Sequence, residues 1–130
     1  MWAGGRDAAL DVTVVSPLQQ AMVRRAENED GHALNEAFRR KVAKAGEPCR
    51  HQGIAFIPLA ADTLGGWHVV AVEQVKKLGR ALARQSGEDE DQTVRHLHQR
   101  LSLLLMRGNA ALLINRVPEN DLDPEVAGYE

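Results

Sequence analysis

At 130 residues the chain has room for one core and not for two. Its lone cysteine, Cys49, excludes an intrachain disulfide and a cysteine framework for zinc, and no apolar run reaches the roughly 20 residues of a membrane span. The net charge of −2 conceals an asymmetry: Glu88-Asp89-Glu90-Asp91 and residues 119–130 hold half of the acids, leaving a body with 16 bases against 9 acids. A basic body with acidic appendages is compatible with nucleic-acid binding, and equally with ordinary solvated helix faces.

Met1 to Asp7 carries no signal-like apolar stretch, so an intracellular protein is expected. Residues 11–16 alternate and are rich in Val and Thr, which predicts a strand ended by Pro17. Leu18, Ala21, Met22 and Val23 predict a short helix over 17–28, broken by Asn28-Glu29-Asp30-Gly31. Leu34, Ala37, Phe38 and Val42 mark one face of a helix over 32–45, which Gly46-Glu47-Pro48 should interrupt or kink, with one more turn reaching Gln52. Gly53 opens a second strand, 54–60, whose Pro58 suits an edge or a bulge.

Gly65-Gly66 is a turn, and Trp67 to Gln85 repeats apolar residues as an amphipathic helix does. After the acidic loop 86–91, with Asp91 as the expected N-cap, a last helix over 92–115 becomes apolar nearly all round at Leu101–Met106 and Ala110–Ile114 and is expected to be the central packed element. Residues 118–130 have the composition of an acidic disordered tail, leaving 1–117 as the domain. Two strands joined by a helical crossover predict a parallel pair in an α/β fold, a short sheet packed by several helices. Two strands are few for a stable sheet, so the architecture is expected to be truncated at its N-terminus.

On the first strand Asp11, Thr13 and Val15 share one face, and an acid there needs a cationic or metal partner if it is buried. Lys41 and Lys44 are neighbours on the face of the following helix, beside Arg39 and Arg40. A lysine next to a metal-bound water can orient it or stabilise charge building on a phosphate, while a solvated basic face is the simpler alternative. His96, Gln99 and Arg100 form one polar stripe on the last helix, either a phosphate-contacting surface or a structural polar face.

The run Ala9-Leu10-Asp11-Val12-Thr13-Val14-Val15, followed by Lys41-x-x-Lys44 after a helix, resembles the restriction-like endonuclease domain of non-long-terminal-repeat retrotransposon polyproteins. Over residues 8–118 the chain also resembles reverse-transcriptase-associated reading frames, through Pro58-Leu59, Gly65-Gly66-Trp67, Gln99-Arg100-Leu101 and Arg107-Gly108-Asn109-Ala110. The resemblance implies a PD-(D/E)XK-type fold in which the catalytic lysine has moved from the strand to the next helix. Asp11 would then be the catalytic and metal-holding acid for Mg²⁺ or Mn²⁺, with Thr13 at the vacated lysine position and Lys41 as the migrated lysine. Lys44, Arg39, Arg40 and Arg100 would contact DNA phosphates, and the protein would act in the nucleus.

Two departures stand out: Ala45 replaces a frequent tyrosine, and the ten residues before Asp11 hold no Pro-Asp pair, the family's first motif. A missing acid predicts weak or absent cleavage by this chain, and a missing strand predicts self-association or a partnership with an upstream reverse-transcriptase region. The competing expectation is a non-catalytic helical interaction module that uses the apolar residues 101–114.

Overall fold

The computed structural model describes residues 3–18 and 31–116. A short 3-10 turn, Ala3–Gly5, leads into strand β1, Ala8–Val15. Helix α1, His32–His51, crosses to strand β2, Ala55–Asp62, and helices α2, Val69–Ser86, and α3, Glu90–Ile114, follow. The architecture is mixed α/β: a two-stranded parallel sheet with three helices. The short helix expected over 17–28 lies almost wholly outside the described residues.

β1 and β2 pair residue for residue from Ala8↔Ala55 to Val15↔Asp62, so Pro58 produces no bulge. Its place is set by hydrogen-bond direction. The Asp7 and Val15 carbonyls accept from Ala55 and Thr63, so odd residues of β1 turn their backbone groups toward β2. On β2, the Ala60 carbonyl and the Asp62 N–H turn instead to the outer edge, where they meet His68 and Gly66. Pro58 has the same parity as these two, so its missing N–H forfeits no ladder bond.

Partner residues of a parallel pair share a face. Asp11, Thr13 and Val15 therefore lie with Pro58 and Ala60 beneath α1, where Leu34, Ala37 and Ala60 form a core cluster joined by Val15. Leu10, Val12 and Val14 look the other way and are exposed. The main surprise in α1 is its continuity, since it runs through Gly46-Glu47-Pro48 to His51. Pro48 costs the helix one backbone bond without ending it, and Glu47 ties the last turn together by pairing with Arg50 and with His51 at 3.1 Å.

α2 and α3 form a helical hairpin closed by Gly87-Glu88-Asp89. The N-cap of α3 is Asp89 and not Asp91: its carboxylate accepts the Gln92 N–H at 2.8 Å. Gly79 lets the helices approach closely, for a β-carbon there would stand 2.9 Å from Val94 Cα. The expectation of a central α3 is corrected by its packing, which among the described elements is on α2 alone, and by its lack of any buried residue. Ser102 is level with Trp67, whose indole donates to its hydroxyl at 3.3 Å. Beyond that point α3 outruns the start of α2, leaving Leu103, Leu104, Met106, Leu112, Leu113 and Ile114 exposed.

Candidate functional site

The strand alternation that turns Asp11 under α1 and the helix pitch that turns Lys41 toward β1 bring the two together. Lys41 Nζ lies 2.8 Å from Asp11 Oδ2, and both side chains are about one-third exposed, at 33% and 37%. Beside them is a cleft of about 360 Å³ lined by Thr13, Val14, Val15, Ala37, Arg40, Lys41 and Lys44. The helix contributes positions 37, 40, 41 and 44, the stripe that one face of an α-helix presents. Ala37 is buried at the cleft's floor, and Arg40 and Lys44 stand exposed at its rim.

Four of the expected residues thus converge: Asp11, Lys41, Lys44 and Arg40. Arg39 is exposed on the same helix without lining the cleft. Arg100 sits apart, exposed on α3, a helix that contacts neither β1 nor α1. The stripe that should have joined it is divided. His96 borders a cleft of about 370 Å³ with Glu88 and Asp89, whereas Gln99 lines another, about 350 Å³, between α2 and α3. That second cleft, with Val72, Val75 and Val94 among its walls and Lys76 and Arg95 beside them, had no separate signal in the sequence.

A divalent cation at Asp11 was tested against the donor set. Magnesium and manganese need several oxygen ligands, and among the described residues no group of three or more His, Cys, Asp or Glu could hold a metal. Asp11 Oδ2 is paired with the Lys41 ammonium, its one charged partner among the described residues, and Asp62 Oδ1 is committed to its own turn by the N–H groups of Leu64 and Gly66, each at 2.8 Å. These residues do not fit a divalent metal, and no metal-dependent step follows from them. What they present is cationic: Arg40, Lys41 and Lys44 line one cleft, with Lys41 paired to Asp11 beside it, a set suited to an anionic oxygen ligand such as a phosphate.

Among the described residues no helix is long and apolar enough to cross a membrane. Compared with family models, with curated proteins and with solved structures, the chain matches none.

Proposed function

We propose that this chain is a nuclease-derived DNA-binding domain of a retroelement reverse-transcriptase protein, similar to restriction-like endonuclease domains and weak or inactive in cleavage. The observation that carries the reading is the contact between Lys41 and Asp11 at 2.8 Å, a helix-borne lysine delivered to a strand carboxylate. That is the pairing the resemblance calls for when the strand position, here Thr13, has lost its lysine. DNA phosphates would lie along the cleft rim on Arg40 and Lys44, with Arg39 on the adjoining helix surface and Arg100 as a remote contact. A single carboxylate already neutralised by an ammonium is a poor seat for catalytic Mg²⁺ or Mn²⁺, which is why cleavage is expected to be slight.

The test has two readouts. Binding to duplex DNA should weaken as salt rises, and Arg40→Gln with Lys44→Gln should weaken it further and reduce the salt slope by about 2. Supercoiled plasmid with Mg²⁺ or Mn²⁺ should stay intact or be nicked slowly, and any nicking should disappear in Asp11→Ala and Lys41→Ala. Binding that ignores both salt and the cleft substitutions would reject the reading.

A second reading has its own observation. The exposed apolar end of α3, from Leu103 to Ile114, is the surface a helical interaction module would use. Its mark would be a partner lost on Leu104→Glu and Leu113→Glu with DNA binding unchanged.

A further inference from the structure

The outer edge of β1 is an eight-residue strand that pairs on one side only among the described residues. Edge strands are normally protected by proline, a bulge, lysine or an inward charge. β1 has no proline, glycine or lysine, and its register with β2 is unbroken. Its one charge, Asp11, is turned under α1 and held by Lys41. No side chain of the strand itself repels a like strand, while Arg40 and Lys44 stand at the rim of the cleft beside Thr13 and Val14.

We propose that β1 pairs antiparallel with β1 of a second copy of the chain about a two-fold axis at Val12, making a four-stranded sheet in the order β2-β1-β1-β2. The register follows from backbone direction and charge. Because odd residues of β1 aim their backbone groups at β2, even residues aim theirs outward, and Leu10, Val12 and Val14 supply the new ladder. Residues directly opposite in an antiparallel pair point to the same face, so the axis must pass through a residue position. An axis at Asp11 sets two carboxylates opposite each other. An axis at Val12 sets Asp11 against Thr13, Leu10 against Val14 and Ala9 against Val15, which uses nearly the whole strand and separates the like charges.

The space is also there. α1 packs mainly on β2, leaving β1's outer side open at the cleft that Thr13 and Val14 line together with Arg40, Lys41 and Lys44. Four strands span about two helix diameters, so the two copies of α1 lie side by side without collision. The three exposed apolar residues of one copy then abut those of the other, and the sheet passes the strand number at which sheets become independently stable.

This inference is independent of the nuclease reading, and its test measures no DNA activity. Sedimentation of the full chain over a range of concentrations should show a monomer–dimer equilibrium. Val12→Lys, with helical content checked by circular dichroism, should shift its dissociation constant upward by at least tenfold. In a Cys49→Ser background, Val12→Cys should give a disulfide-linked dimer on mild oxidation, while Leu10→Cys and Val14→Cys should each cross-link poorly alone and efficiently when mixed. A monomer at every concentration overturns the proposal, as does a dimer that is indifferent to Val12→Lys. Cross-linking of Leu10→Cys to itself in preference to Val14→Cys overturns the register.

Discussion

His68 joins several parts of the molecule through one residue. Its backbone N–H donates to Ala60, its Nδ1 accepts the Val70 N–H at 3.2 Å as the cap of α2, and its ring stacks on Phe38 with centroids 4.3 Å apart. Burial holds its pKa below the ordinary imidazole value, and protonation would also cost Nδ1 its role as an acceptor. The unfolded chain therefore binds this proton more readily than the folded one. The contribution is complete above about pH 6.5 and is lost as pH falls toward the lowered folded value. Urea midpoints should drop between pH 7 and pH 5, and His68→Asn, which keeps an acceptor but does not titrate, should show a shallower drop.

Asp11 and Lys41 behave differently, since a pair this exposed is worth about 0–1 kcal/mol. Asp11→Asn or Lys41→Met should change the unfolding free energy by less than about 1 kcal/mol in urea titrations. Any larger loss of DNA binding would then report on the site and not on folding. The sequence gives Asp11 its strand face and sets Lys41 beside Lys44 on one helix face, because alternation and helix pitch are local; that Lys41 should face Asp11 was implied only by the resemblance. The position of Arg100 was not legible, because it depends on which partner a distant helix chooses.

At the scale of elements, the sequence foretold both strands, the crossover helix and the last two helices, with boundaries moved by a few residues. Its errors share one cause. Pro48 and the apolar run of α3 were read by local rules, but a helix is ended or buried by what surrounds it. The C-terminal half of α3 is apolar and still lies outside the core, because α2 is the one described element it packs on. Gly79 stands at that contact. Alanine there would gain helix propensity of about 1 kcal/mol, yet its β-carbon would meet Val94 Cα at 2.9 Å, a backbone atom that cannot rotate away. Gly79→Ala should be destabilising by about 1–3 kcal/mol in thermal or urea unfolding. In the turn after β2, Asp62→Ala removes the acceptor of two backbone N–H groups and should cost about 1–2 kcal/mol by the same measurement.

At the scale of the whole molecule, the core is thin. Among the described residues the buried apolar ones are Ala33, Leu34, Ala37, Pro58, Ala60, Ala61, Ala71, Val75 and Ala83, six of them alanines that bury little area each. Small residues let backbones approach closely, but they leave the chain dependent on its few large anchors. Leu34→Ala should therefore cost about 2–4 kcal/mol, a large share of the total, and should bring the unfolding midpoint down sharply. A dimer through β1 would offset part of that thinness by mass action, so the thermal midpoint should rise with protein concentration. The way α3 rests only on its sequence neighbour also gives the chain an order of assembly. The α2–α3 hairpin closes over three residues, whereas pairing β1 with β2 must bring Ala8 to Ala55 and Val15 to Asp62, partners 47 residues apart along the chain. The hairpin should thus be formed early in the folding transition state and the sheet late, so that Gly79→Ala slows refolding while Leu59→Ala chiefly hastens unfolding.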